Sequence, residues 1–218
     1  MDILNSVITE LTNDVTKAGI TVFVKGFLGE EIEELGKFSN RKLKNFGDAV
    51  KKIYERWQAN GRKSENIQEV DPEILQPILE GVCIGHKNEK IREKWINLLE
   101  SAILGISIHP VYIETLKLLD GIDGNILEIM SDKSGFLERG NRLTNSELKT
   151  QLLQRGIDNI SDDMIRDSLF NLVARELFYA TTLQGKPTQN QMNAENIHIS
   201  DFGKKFMYIV SDEKEYNY

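Results

Sequence analysis

The sequence predicts a mainly α-helical protein: an N-terminal helical region and a central helical hairpin, then a C-terminal winged-helix-like domain with a small β-hairpin. Three observations carry this expectation. Apolar residues recur at spacings of three and four over most of the chain, as one face of a helix requires. Helix-start signals such as Asp71-Pro72-Glu73 and Ser161-Asp162-Asp163 stand directly before those runs. Strand-like alternation is confined to Asn196-Ile-His-Ile-Ser200, late in the chain.

The chain has 218 residues, 40% of them hydrophobic, which is enough for one large or two small domains with real cores. A net charge of −7 argues against wholesale nucleic-acid binding, because that affinity comes from neutralising phosphates with Lys and Arg. The single cysteine, Cys83, rules out an intrachain disulfide and fits a reducing compartment. The start MDILNSVITEL lacks the basic segment and cleavage site of a secretory signal, so a cytoplasmic location is expected.

In order, Ile3, Leu4, Val7, Ile8, Leu11 and Val15 mark an N-terminal amphipathic helix that Gly19 ends or bends. The apolar run Ile20 to Leu28 (ITVFVKGFL) is far shorter than the roughly 20 residues needed to span a bilayer. Burial against other helices is its plainer reading, with a membrane-surface position as the alternative. Glu30 to Phe38 follows as a short helix with an acidic first turn.

A basic amphipathic helix is expected over about residues 37–58. Between Lys37 and Lys63 nine basic residues face only Asp48 and Glu55, while Leu43, Phe46, Val50, Ile53 and Trp57 share the other face. Arg41, Lys44, Lys51, Lys52 and Arg56 are its candidate interaction surface. The occupant could be an anionic membrane, a nucleic acid or an acidic partner. The plainer reading is a solvated face balanced within the chain, where residues 1–36 carry seven acidic side chains against two basic.

Asn60 and Gly61 are suited to close that helix, since both residue types tolerate the left-handed conformation. A helical hairpin is expected over residues 72–119. Its first helix starts at Pro72, with Pro77 as a possible kink, and buries Ile74, Leu75, Ile78, Leu79 and Val82. In the next, Trp95, Leu98, Leu99, Ala102 and Ile103 face inward, and the spacing leaves Lys94, Asn97, Glu100 and Ser101 to the outer face. His109-Pro110 opens a further helix with Tyr112, Ile113, Leu116 and Leu119 inward, His109 serving as cap or packing group. The first domain is placed at residues 1–119 and the second at 120–218.

In the second domain, a helix is expected over Asn125 to Met130 and a polar loop after it. Thr144 and Glu147 form a capping box ahead of a short helix ending near Leu152. Ser161 caps a third helix carrying Ile165, Leu169, Leu172 and Val173 inward and Asp162, Asp163, Arg166, Asp167, Asn171 and Arg175 outward. Strand-forming residues 177–182, a polar loop over 184–195 and the Asn196 strand complete the hairpin, and Ser200 starts a last helix with Phe202, Phe206, Met207 and Val210. Three helices followed by a hairpin is the order of a winged helix, a fold that often reads DNA with its third helix. Three carboxylates on that helix would face phosphates, so a protein partner suits it better.

The run DPEILQPILEG from Asp71, EKIREKWINLLESAI from Glu89, IHPVYIETLKLLDGIDGNIL from Ile108 and the closing ISDFGKKFMYIVS resemble the Abi-alpha family. GFLGEEIEELGKF ahead of the basic helix shares the likeness, which extends from about Gly26 to Ser211 and is densest from Trp95 to Leu127. The resemblance implies a role in abortive infection of phage-infected bacteria and carries no catalytic mechanism with it.

The residues themselves show no catalytic apparatus. Cys83 and His86 have a metal-like spacing, but a zinc site normally needs four ligands, and His109 and His198 are isolated in sequence. Neither a G-x-x-x-x-G-K-[ST] phosphate loop nor a G-x-S-x-G elbow is present, and no histidine follows an arginine by four to six residues. The expectation is therefore a non-enzymatic defence protein without cofactor or metal, acting through protein contacts. The alternatives are a winged-helix DNA-binding regulator and a membrane-active toxin.

Overall fold

A computed structural model describes residues 23–28, 39–62, 67–84, 88–131, 143–181, 188–189 and 192–211. The helices expected before Gly19 and over Glu30 to Phe38 lie outside these residues, as do His86, the loop after Ser131 and most of the 184–195 loop. The described fold is mainly helical, with one two-stranded antiparallel sheet. The chain divides into two compact units, Met1–Lys117 with Ile209–Tyr218, and Leu118–Tyr208.

In the first unit, residues 23–28 are helical and bury Phe23, Val24, Phe27 and Leu28. The apolar run thus contributes to a core. Phe23 stands edge-on to Phe27, Tyr54 and Trp57, with ring centroids 5.6, 5.9 and 5.1 Å away, the geometry in which aromatic quadrupoles attract.

Helix α1, Asn40–Ala59, buries Phe46, Gly47, Ala49, Val50, Ile53 and Trp57, the apolar stripe its spacing predicts. Leu43 is only half-buried. Its C-terminus corrects one detail: Asn60 keeps a negative φ of −91°, and only Gly61 turns left-handed, at +64°. Gly61 N–H donates to Gln58 O and Arg62 N–H to Trp57 O, the paired bonds of a Schellman closure.

Helix α2, Pro72–Ile84, runs through Pro77 and packs against both α1 and the helix that follows. Asp71 Oδ1 accepts from Glu73 N–H at 2.9 Å, as the Asp-Pro-Glu signal predicts. Helix α3, Glu89–Ile103, is capped by Asn88, whose side chain accepts from Lys90 and Ile91 N–H.

Every residue from Lys94 to Ile103 is buried, including Lys94, Asn97, Glu100 and Ser101, which the spacing assigned to solvent. Periodicity separates apolar from polar positions; it does not see polar partners brought from elsewhere in the chain. Helix α4, Pro110–Lys117, buries Ile113, Thr115 and Leu116, and His109 caps it by accepting from Val111 N–H at its Nδ1, 3.2 Å away.

The second unit holds α5 (Gly121–Ser131), α6 (Asn145–Gln154), α7 (Asp162–Ala174), β1 (Phe178–Ala180), a 3₁₀ turn (Ala194–Asn196) and β2 (Ile197–Ile199). Helix α5 starts four residues before the expected Asn125. Asp120 Oδ1 accepts from Ile122 and Asp123 N–H while Asp123 Oδ2 accepts from Asp120 N–H, a reciprocal cap that overrides the two glycines of the first turn. Thr144 and Glu147 form the predicted box on α6, and Ser161 caps α7 through Met164 N–H. Phe178 pairs with Ile199, Tyr179 with His198 and Ala180 with Ile197.

Helix α8, Asp201–Val210, starts where Ser200 Oγ accepts from Gly203 N–H, and its Phe206, Ile209 and Val210 are buried. Among the described residues no helix is long and apolar enough to cross a membrane.

Candidate functional site

The first unit's polar chemistry gathers where α1 and α3 meet. Lys52 and Arg56, one helical turn apart, point at α3 because they lie on the same side of α1. Glu93 receives both: Lys52 Nζ donates to Oε1 and Arg56 Nη2 to Oε2, the latter at 3.0 Å. Glu100, two turns further along α3, takes Arg56 Nη1 at 3.2 Å, Arg62 Nη1 at 3.3 Å and Trp57 Nε1 at 3.2 Å. Arg62 also stands 5.7 Å above the Trp57 ring, a cation–π distance.

Asn97 completes the array. Its Oδ1 accepts from Arg56 at 2.7 Å and its Nδ2 donates to Val210 O at 3.0 Å. Ser101 Oγ bonds both Asn97 O and Ile209 O, at 2.9 and 2.6 Å. Ile209 and Val210 belong to the first unit, and as last-turn carbonyls of α8 they have no intrahelical donor. Asn97 and Ser101 therefore act as a side-chain cap for another helix.

Of the five residues expected to form a surface on the basic helix, Lys52 and Arg56 turn inward to these carboxylates. Arg41 and Lys44 are exposed, and half-buried Lys51 approaches Glu55 at 3.9 Å. Asp48, one turn before Lys52 on the side of α1 that meets α3, is 3.6 Å from Arg92. Among the described residues the balancing carboxylates are Glu93 and Glu100; the acidic side chains of residues 1–36, which the sequence offers as a balance, lie outside the described residues. Spacing places Glu100 on the outer face and gives Glu93 no role; the excess of basic side chains on α1 is the signal that the sequence carries.

Cys83 is buried on α2, and burial pushes its thiol up to about 12, the nearby Lys42 offsetting part of the effect. Asn45 Nδ2 bonds its carbonyl at 2.9 Å. An inert thiol in this environment is a packing group.

In the second unit, Asp123 is the buried ionisable centre. Ser168 Oγ donates to its Oδ1 and Asn171 Nδ2 to its Oδ2, so α5 and α7 are joined through one carboxylate. Burial raises its pKa above the ordinary aspartate value, while the Ser168 bond works the other way. Asn171, expected outward, is drawn in by this bond.

The opposite side of α7 faces solvent. Asp163, Asp167, Phe170 and Ala174 recur at i, i+4, i+7 and i+11 and are all exposed; Met164, also exposed, lies in the neighbouring row with Ser168 and Asn171. Phe170 is 39% exposed and Met164 40%, high for apolar side chains on a helix of a folded unit. Asp163 accepts from Arg166 at 2.9 Å, Asp162 from Lys149 at 2.7 Å, and Asp167 from Gln189 Nε2. The Lys149 bond holds the Asp162 carboxyl below its ordinary pKa. Arg175, at the end of the helix, is half-buried.

The family model described as Abortive infection alpha matches residues 39–210, a span from the residue before α1 to the end of α8. The chain belongs to the Abi-alpha family. No curated protein and no solved structure matches it. The Abi-alpha match includes both the α1–α3 network and the outer face of α7, so each lies within the family's own domain.

Proposed function

We propose that this Abi-alpha protein takes part in abortive infection in the cytoplasm as a non-enzymatic adaptor. In this reading the α1–α3 unit is a scaffold and the second unit a winged-helix-like contact module, with α7 as its contact helix. The observation that carries it is the composition of α7's exposed stripe. A helix that enters a DNA groove needs cations toward the phosphates; here Asp162, Asp163 and Asp167 lie outward with Phe170 and Met164. Acidic groups around exposed apolar side chains suit a protein surface.

The first unit supports the same reading. Glu93, Asn97, Glu100 and Ser101 spend their hydrogen-bonding capacity on Lys52, Arg56, Trp57, Arg62 and the carbonyls of Ile209 and Val210. Such an array holds helices together.

The test is a phage challenge of bacteria carrying the wild-type chain or an Asp163→Lys/Asp167→Lys/Phe170→Ala variant with unchanged circular dichroism. Protection should fall to the level of the empty vector. Full protection by the variant refutes the reading. Duplex DNA titrated at low salt should give no binding; salt-dependent binding lost on changing Arg166 and Arg175 favours a regulator instead.

A further inference from the structure

We propose that the outer face of α6 and α7 docks a Lys/Arg-bearing amphipathic segment of a partner protein. The proposal rests on the protein-contact reading above and names the chemistry of the partner. Leu153 in α6 is 47% exposed, and with Met164 and Phe170 it gives the α6–α7 pair three exposed apolar side chains. Asp158, Asp162, Asp163 and Asp167, all exposed, fall between Leu153 and Phe170 in the chain, and Asp163 and Asp167 share the helical row of Phe170.

The cations in this stretch are already committed. Arg155 pairs with Glu128 at 3.0 Å, Arg166 with Asp163 at 2.9 Å and Lys149 with Asp162 at 2.7 Å, and residues 153–174 still hold four carboxylates against two cations. Charge complementarity thus asks for a basic occupant, and the exposed Phe170 asks for an apolar anchor on it.

Helix geometry sets the spacing of that occupant. Asp163 and Asp167 are separated by about 6 Å along α7, and Asp163 and Phe170 by about 10 Å. A helical partner lying along the stripe matches these distances with cations at i and i+4 and an apolar residue at i+7. A phosphate backbone fails on charge. A second copy of this chain offers cations on α1 at Arg41 and Lys44, but the apolar residues of that helix, Phe46, Val50, Ile53 and Trp57, are buried.

The experiment uses two fluorescein-labelled helical peptides with identical leucine positions, one with lysine and one with glutamate at the polar positions, titrated by anisotropy against the full chain. The lysine peptide should bind and the glutamate peptide should not. Its affinity should fall at least about tenfold in Phe170→Ala and in Asp163→Lys/Asp167→Lys, the size of loss expected when an anchor is removed, and should weaken with salt. Equal binding of the two peptides, or lysine-peptide affinity unchanged in both variants, overturns the proposal. Self-association of the wild-type chain that disappears in Phe170→Ala assigns the face to a second copy and overturns it as well. Variants that lose the peptide yet protect fully against phage keep the docking face and remove the defence-by-contact reading, so the two failures are distinct.

Discussion

The ring of Trp95 on α3 lies against the bare backbone of Gly81 on α2. A Cβ built on Gly81 would come within 2.3–2.4 Å of the ring atoms Cε3, Cδ2 and Cζ3, three nearly equal distances that place the indole's face over the glycine. No side chain fits there unless one helix moves. Gly81→Ala should therefore lower stability by about 1–3 kcal/mol even though alanine is the better helix former. At this chain length that corresponds to roughly 2–4 °C in Tm per kcal/mol. A Tm equal to or above wild type would show that α2 and α3 are not in close contact.

Glu100 makes a second prediction. Its side chain, 7% exposed, takes three donors, two of them the guanidinium groups of Arg56 and Arg62. Removing one partner of a buried ion pair leaves the other charge uncompensated, at about 3–5 kcal/mol; with the arginines near one-fifth exposed, the lower end applies. Glu100→Gln keeps an acceptor for Trp57 and removes the charge. Urea unfolding should show that loss, and Glu100→Gln should cost measurably less when made in an Arg62→Ala background. Strictly additive effects would mean the pair is not coupled.

What the sequence made legible was local. Ser161, the Thr144 and Glu147 box, Asp71 with Pro72, and His109 all cap helices as their positions suggested, because each bonds a backbone group within three residues. The α3 network was hidden because its bonds to other helices span 37 to 113 residues: Arg56 to Glu93 at one extreme, Asn97 to Val210 at the other. A polar residue at an outward helical position looks the same in sequence whether it meets water or a distant guanidinium. The start of α5 was hidden for another reason. Gly121 and Gly124 argue against a helix, and only the reciprocal Asp120 and Asp123 bonds outweigh them.

Cys83 should be silent to alkylating reagents in the folded protein at neutral pH and react once urea unfolds the chain, since it is buried and its pKa is about 12. The same shift fixes a pH dependence. The unfolded thiol loses its proton near 9.0, the folded one only near 12, so the folded state holds more protons between these values and its stability falls as pH rises through that window. Cys83→Ala should remove this alkaline component, so the wild type should lose stability faster than the variant from pH 9 upward. Parallel curves, or rapid labelling of the native protein, would contradict the burial.

Asp123 works at the acid end. Its folded pKa is raised above 3.8 by burial, so the native state binds the proton first as pH falls. Stability from this group is therefore greatest below the unfolded value and declines as pH rises through the folded one. Asp123→Ala leaves Ser168 and Asn171 without their acceptor and should be destabilising at every pH, by about 1–3 kcal/mol for such a loss. The gap between wild type and variant should be widest in acid and narrow toward neutrality. A gap that widens toward neutrality would show that hydrogen bonds to the carboxylate outweigh its desolvation.

Arg41, Lys44, Lys52 and Arg56 of α1 should separate into two classes under charge reversal. Arg56→Glu places a third carboxylate beside Glu93 and Glu100 and takes the donor from Asn97, so it should unfold or severely destabilise the chain. Lys52→Glu does the same more mildly, its side chain being 42% exposed beside Glu93. Arg41→Glu and Lys44→Glu lie on the exposed side and should shift stability within about 0.5 kcal/mol. Reversing Lys52 together with Arg41 and Lys44 would therefore mix a folding defect with a surface change. The Arg41→Glu/Lys44→Glu pair isolates the surface: with α7 as the contact helix, the pair should keep both its unfolding midpoint and its protection in a phage challenge. Lost protection at an unchanged midpoint would move the contact surface from α7 to the outer side of α1.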